Sequence, residues 1–208
     1  MTGSANVSLS AFEKQLVTDA GWILTKNKII QKVLVLFGEL NKAWLNNSIL
    51  WQLPAALTEI PAKISRGENY EGLPYVMLDY PRCFGKEDVC AVRTFFWWGN
   101  FFSITLHLKG KYKLQIEQSI ADAIQAGELN NAWINVSDDE WAHHFESTNM
   151  TPVQLTGTDT FRKKNILKLA YKLDLNDWDN AEEFLKKIFN QYMQILQISY
   201  CQYDETDL

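Results

Sequence analysis

Apolar residues recur at helical spacing in the N-terminal, middle and C-terminal parts of the chain. Ser10 and Glu13 have the spacing of a capping box, so a first helix is expected there, with a break near Thr25. Gly127 is placed to end a middle helix that begins near Lys111. The four apolar groups that predict helices are Leu9, Phe12, Leu16 and Val17; Ile30, Val33, Leu34, Phe37, Leu40 and Trp44; Ile116, Ile120 and Ile124; and Phe184, Leu185, Ile188, Phe189, Tyr192 and Leu196, in a last helix from about Asp179.

The sequence segments between these predicted helices show the patterns of β-strands. The clearest is a β-hairpin whose arms flank Gly99-Asn100, a pair of the type used in two-residue loops. Residues 75–80 predict a short strand that ends at Pro81, and strict alternation after Leu167 predicts a half-buried strand. The predicted strands are Tyr75–Tyr80, Val89–Trp98, Phe101–Leu108, Trp133–Val136 and Leu167–Leu175.

A two-residue loop fixes which hairpin side chains share a face, because directly opposed residues do so. Trp98 would oppose Phe101, and Arg93 and His107 would lie on opposite faces of the sheet. The predicted faces are Ala91, Arg93, Phe95, Trp97, Phe102, Ile104, Leu106 and Leu108 on one side, and Val92, Thr94, Phe96, Trp98, Phe101, Ser103, Thr105 and His107 on the other.

Grouped strands with helices before and after them indicate an α+β fold. We expect one domain over residues 1–208, with a central antiparallel or mixed sheet packed by N-terminal, middle and C-terminal helices. Residues 1–47 form its helical N-terminal segment, and 73–208 form the sheet and its covering helices. Residues 48–72 contain Pro and Gly and a polar run, and are expected to be a loop over the body.

Glu140 and His143 have the spacing of a Glu-x-x-His pair, on a short helix that Ser137 would cap and that would run to about Glu146. Carboxylate-bridged metal sites contain a second copy of this pair, and the chain has none. Because the chain contains three histidines in all, no metal site is predicted. Motifs for dinucleotides and phosphates are absent as well, so no cofactor is expected.

Composition narrows the function classes further. The net charge is −5, so a nucleic-acid partner is not expected. The N-terminal residues lack an apolar signal core and no run could span a bilayer, so no membrane partner is expected either. Three cysteines without metal spacing favour a reducing compartment, and hence the cytoplasm.

Aromatic residues make up 13% of the chain, including eight tryptophans. Large rings and arginine anchor many binding sites. The sequence therefore predicts a small-molecule-binding or interaction protein that uses an aromatic-rich sheet, with a small anion as one ligand class. The candidate ligand-binding residues are Tyr80, Arg82, Arg93, Trp97, Trp98, Thr105 and His107.

Arg93 would be the sole charge on an apolar face, so it needs a carboxylate partner such as Asp79 or Glu71. Its alternative roles are an internal ion pair, an anion-binding group, or, if the register is wrong, an exposed side chain. Two other functions stay open: an enzyme with His107 as acid or base on an anionic substrate, and a structural protein that forms homodimers without a ligand.

Overall fold

The computed structural model describes residues 7–156 and 159–204. The helices are α1 (Ala11–Thr18), α2 (Ala20–Leu45), α3 (Ala55–Thr58), α4 (Lys111–Gln125), α5 (Asp159–Arg162) and α6 (Ala181–Asp204), with 3-10 turns at Ser48–Gln52, Val153–Leu155 and Leu175–Asn180. The strands are β1 (Lys63–Tyr70), β2 (Leu73–Phe84), β3 (Val89–Trp97), β4 (Phe101–Lys109), β5 (Trp133–Asn135), β6 (Met150–Pro152) and β7 (Ile166–Asp174).

The seven strands form one antiparallel sheet in the order β1-β2-β3-β4-β7-β5-β6, which confirms the predicted α+β fold. The predicted loop over residues 48–72 is wrong, because its second half is the edge strand β1, paired with β2. Polar and charged side chains are usual on an edge strand, where they discourage pairing with other chains. That polarity gave the segment the appearance of a loop.

Helices α2, α4 and α6 pack on one side of the sheet, which we call the helix face. The stripe predicted for α2 is buried there, as are Ile116 and Ile120 of α4 and the apolar side of α6. Opposite them lie alternate residues of each central strand, such as Val92, Ile104 and Leu169. This continuous apolar layer is the main core.

Local signals place the helix ends. The capping box of Ser10 and Glu13 is formed as predicted, and Gly127 follows α4 with a φ of 77°, which glycine adopts without strain. The break predicted near Thr25 lies instead at Asp19, whose side chain caps the N–H of Gly21 at 2.9 Å. No side chain of α1 is buried. Within the described residues, no helix combines the length and apolarity that crossing a bilayer demands.

The hairpin between β3 and β4 has a three-residue loop, so the predicted register is wrong by one residue. Trp97 pairs with Phe101, and the loop consists of Trp98, Gly99 and Asn100. Gly99 has a φ of 73°, and the N–H of Asn100 donates to the carbonyl oxygen of Trp97 at 3.1 Å. Since a shift of one residue exchanges the faces of one arm relative to the other, β4 side chains lie opposite to their predicted side.

Two further predictions differ from the structure. Strand β2 does not end at Pro81; it is irregular between Asp79 and Arg82 and then resumes pairing with β3. Residues 137–149 do not contain the predicted helix, although the strands on either side, β5 and β6, pair with each other. The segment between them is an irregular loop that folds back over the sheet.

Candidate functional site

The side of the sheet opposite the helices carries a cluster of polar side chains and a cluster of aromatic ones. We call this side the loop face, and residues 137–149 the cover segment, because side chains and carbonyl groups of that segment contact it. The corrected register brings Arg93, Thr105 and His107 to the loop face together. Arg93 and His107 therefore share one site, in contrast to the prediction.

Arg93 forms a two-pronged ion pair with Asp79, directly across from it on β2. Its Nε donates to Asp79 Oδ1 at 2.7 Å and its Nη2 to Oδ2 at 3.0 Å. The two side chains are 12% and 9% exposed, which confirms the expected need for a buried carboxylate partner. Nη1 lies 3.2 Å from His143 Nε2, and the guanidinium carbon lies 5.4 Å from the Phe84 ring centre and 5.6 Å from that of Trp141, two rings that also contact each other.

Glu140 of the cover segment connects two strand residues. Its Oε2 accepts a hydrogen bond from Lys109 Nζ at 3.0 Å, and its Oε1 lies 3.3 Å from His107 Nε2. The second contact is close but lacks the alignment of a hydrogen bond, so His107 Nε2 is a buried polar atom without a partner in the described structure. The predicted Glu140-x-x-His143 pair thus contacts Arg93, His107 and Lys109 and forms no metal site.

Lys168 of β7 holds the backbone of the cover segment. Its Nζ donates to the carbonyl oxygens of Asp139, Glu140 and Ala142 at 3.1, 3.3 and 2.7 Å, so all three ammonium hydrogens have acceptors. The backbone N–H of Lys168 donates a hydrogen bond to Asn135 Oδ1 at 2.7 Å. Lys168 is buried, and no carboxylate forms an ion pair with it in the described structure, although Asp139 and Glu140 are near enough to favour its charged form.

Burial and neighbouring cations keep both histidines neutral. Burial lowers the pKa of His107 to about 3, assisted by Lys168, Arg93 and Lys109. The pKa of His143 is lowered well below its usual value, first by burial and then by Arg93. Burial also lowers the pKa of Lys168 to about 8. The site therefore contains two neutral imidazoles among cationic side chains at neutral pH.

The aromatic part of the loop face adjoins the polar part through His143. The His143 ring lies 4.9 Å from Phe95, and its backbone N–H donates to the Tyr70 hydroxyl at 2.7 Å. Phe145 of the cover segment packs edge-on against Phe101 at 5.1 Å. The aromatic cluster comprises Tyr70, Tyr75, Phe95, Trp97 and Phe101, with Phe145 against it.

The candidate residues from the sequence divide between the two faces. Arg93, Trp97, Thr105 and His107 lie on the loop face. Tyr80 and Trp98 pack against the helix-face core. Arg82 pairs with Ala91, on the same side of the sheet as His107, but its Nε donates to the carbonyl oxygen of Pro61 at 2.6 Å.

Sequence reasoning missed Lys109 and Lys168. The signal for Lys168 was present, because it alternates with Leu167 and Leu169 along β7 and so must lie on the opposite face from them. Its pairing with His107 depends on the strand order, which the sequence pattern does not give.

Two open clefts lie away from this site. One, of about 830 Å³, lies between residues 127–131 and α6, and another, of about 450 Å³, lies between α2 and β1. Neither is lined by the polar cluster of the loop face. In the part of the chain that the structure describes, no group of three or more His, Cys, Asp or Glu side chains is arranged to hold a metal ion.

The chain was also compared with known proteins. No family model, no curated protein and no solved structure matches it.

Proposed function

We propose that the loop face binds a small anionic molecule in the cytoplasm, and that the cover segment occupies the same groups when the ligand is absent. The supporting observation is the Glu140 carboxylate on Lys109 and beside His107. A carboxylate of the chain itself lies where the carboxylate or phosphate of a ligand would be recognised.

The division of donors and acceptors supports this reading. The sheet supplies the cations Arg93, Lys109 and Lys168, and the cover segment supplies acceptors to them: one carboxylate, three carbonyl oxygens and a neutral imidazole. Such a segment resembles a built-in ligand of acidic character. A free anion would compete for the same hydrogen bonds.

Charge balance supports the same conclusion. Among the buried and half-buried side chains of the polar cluster, three cations face two carboxylates, Asp79 and Glu140, and both histidines are neutral; the other nearby carboxylate, Asp139, is exposed to solvent. An excess positive charge in a partly dry site is costly. Binding one anion there would neutralise the excess, which gives the ligand its charge sign.

The aromatic cluster adds a preference for a ligand with an apolar body. Rings around Phe95 and Trp97 lie directly beside the Arg93–His143 contact. Ligand sites combine apolar walls with a few polar groups that set orientation. An aromatic carboxylate fits both parts of the loop face, whereas inorganic phosphate fits the polar part alone.

An acid–base enzyme is the second candidate, because Arg93 and His107 share a face and Glu140 adjoins the imidazole. It ranks below binding on chemical grounds. A histidine whose pKa is about 3 is a weak base at neutral pH, and efficient general bases have a pKa near the working pH.

Titration with benzoate, acetate and inorganic phosphate, followed by amide NMR, tests the proposal. Glu140→Gln removes the competing charge and should tighten benzoate binding about tenfold, which corresponds to about 1.4 kcal/mol. Lys109→Gln should weaken it by a similar factor. Lys111→Gln is the matched control, because Lys111 is well exposed and outside the loop face.

The opposite signs expected for Glu140→Gln and Lys109→Gln distinguish ligand binding from a purely structural role. If the loop face merely holds the segment in place, both variants lower the stability and neither responds to the three anions. Native mass spectrometry of the purified protein gives an independent check, because a retained ligand adds its mass to the chain. Absence of both retained mass and any benzoate response would refute the proposal.

A further inference from the structure

Two of the three cysteines lie directly opposite each other in the sheet. Cys83 of β2 pairs with Cys90 of β3, on either side of the short turn at residues 85–88. Both thiols point to the helix face, where Cys90 belongs to the core and Cys83 packs against it. The two thiols lie on the opposite side of the sheet from the polar cluster, and an inference about them does not depend on anion binding at the loop face.

The spacing of opposed residues in antiparallel strands suits a disulfide. Opposed Cα atoms are about 4.5–5.5 Å apart, within the range of about 4.4–6.8 Å that disulfides span. Because the side chains of Cys83 and Cys90 share one face, their Cβ atoms also approach each other. A bond between the sulfurs therefore needs side-chain rotation and little movement of the backbone.

The surroundings give the two thiols different access. Cys83 is half-buried, so an oxidant can reach it, while Cys90 is fully buried. Cys83 Sγ lies 3.6 Å from the Tyr112 hydroxyl, and the buried Tyr200 hydroxyl has no hydrogen-bond partner in the described structure. Burial, with a further contribution from Cys83, raises the pKa of the Cys90 thiol. The half-buried Cys83 thiol is thus suited to react first and the fully buried Cys90 thiol second.

We propose that Cys83 and Cys90 are a site of reversible oxidation, at which a low-molecular-weight disulfide such as glutathione disulfide converts the two thiols into a cross-strand disulfide. The bond would join β2 to β3 beyond the irregular stretch at Asp79–Arg82, where β2 resumes its pairing. Phe84, next to Cys83 in sequence, packs on the Arg93 guanidinium, so the bond would also stiffen one wall of the loop face.

The reaction balances in two exchanges. The Cys83 thiolate attacks one sulfur of glutathione disulfide, a Cys83–glutathione disulfide forms, and one glutathione thiolate leaves. The Cys90 thiolate then attacks Cys83 Sγ and releases the second glutathione. The protein gives up two electrons and two protons, and the two glutathione molecules take them up. The second exchange should be slow at neutral pH, because burial keeps Cys90 protonated.

Tryptic mapping of the full chain after incubation with glutathione disulfide tests the proposal directly. Trypsin cleaves after Arg82, Lys86 and Arg93, which places the two cysteines on separate peptides, Cys83–Lys86 and Glu87–Arg93. Oxidation should give these two as one linked species that a reductant separates. The intact chain should lose the mass of two hydrogen atoms.

The variants locate the reaction. Cys90→Ser should leave a stable glutathione adduct on Cys83, and Cys201→Ser, the matched control, should oxidise like the wild type. Oxidation should raise the melting temperature of the wild type by about 5 °C, the effect of a short closed loop in a chain of this size. The Cys90→Ser variant should not show this rise.

Three results would overturn the proposal. They are a lasting glutathione adduct on the wild type without the linked peptides, a link that involves Cys201, and no change in the folded chain. Guanidinium-unfolded protein, in which all three thiols are accessible, serves as the control that the reagent is active. The wild-type peptide map decides the question even if a variant fails to fold.

Discussion

Removing one partner of the Arg93–Asp79 pair should be far more damaging than removing both. Arg93→Met keeps most of the side-chain length and deletes the charge, which leaves the Asp79 carboxylate nine-tenths buried with neither of its two guanidinium hydrogen bonds. Asp79→Leu leaves the reverse problem, a buried guanidinium beside the rings of Phe84 and Trp141 without its carboxylate. The double variant replaces the pair by apolar groups of comparable size.

The structure sets the expected magnitudes. Breaking a buried pair by removing one partner costs about 3–5 kcal/mol, because an uncompensated charge remains. Arg93 and Asp79 are 12% and 9% exposed, so solvent screens their charges little. We therefore expect each single variant to lose about 3 kcal/mol of its free energy of unfolding. The double variant should lie within about 1 kcal/mol of the wild type. The coupling energy between Arg93 and Asp79 would then be larger than the loss of stability in either single variant.

Urea denaturation of the four proteins at pH 7, followed by tryptophan fluorescence and circular dichroism, measures this cycle. Coinciding transitions by the two probes would justify a single free energy of unfolding. If the single variants lose less than about 1 kcal/mol, or if their losses simply add in the double variant, the two side chains are not the buried, mutually dependent pair described above.

Three further perturbations have definite expected outcomes. Burial lowers the pKa of His107 from an ordinary value of 6.5 to about 3 in the folded chain, so the unfolded chain binds this proton first as the pH drops. The stability of the fold should therefore fall by a few kcal/mol through that window, since a pKa change of one is worth about 1.4 kcal/mol. His107→Gln should show a shallower fall in acid denaturation. Burial lowers the pKa of Lys168 from 10.5 to about 8. The wild type should therefore gain stability relative to Lys168→Met as the pH rises between those values. Equal slopes of stability against pH for the two proteins would contradict the burial of a charged ammonium group. The single hydroxyl proton of Tyr192 is shared between the carbonyl oxygens of Leu169 at 2.7 Å and Ile104 at 3.2 Å. Tyr192→Phe should therefore cost about 1–2 kcal/mol in the same denaturation assay, and a neutral result would mean that this hydrogen bond contributes nothing net.

Local sequence signals were sufficient for most of the secondary structure. The capping box at Ser10, the end of α4 at Gly127 and the stripe of α2 each depend on residues within a few positions, and the structure has all three. Polarity misled in the case of β1, because an edge strand is as polar as a loop.

The candidate site depended on a finer quantity, the length of one hairpin loop. Gly99-Asn100 suits a two-residue loop, but Trp98 belongs to the loop as well. That single residue decides whether His107 faces Arg93 or the helices. Contacts from the cover segment to His107 and Lys168 join residues about 30 positions apart, and no local pattern encodes them. The polar residues of the segment were visible in the sequence, but their role depends on the tertiary fold.

The position of the cover segment at the end of the strand order has a consequence for local unfolding. The segment leaves the sheet from β5 and returns through β6, which are three residues each and lie side by side at one margin. Peeling that margin away would expose the loop face and remove Ile134 and Val153 from the helix-face core, while β1 to β4 and β7 stay paired with one another. The free energy of such an opening is a fraction of the free energy of global unfolding. Under the proposed anion binding, such an opening would free the loop face for the ligand at less than the cost of global unfolding.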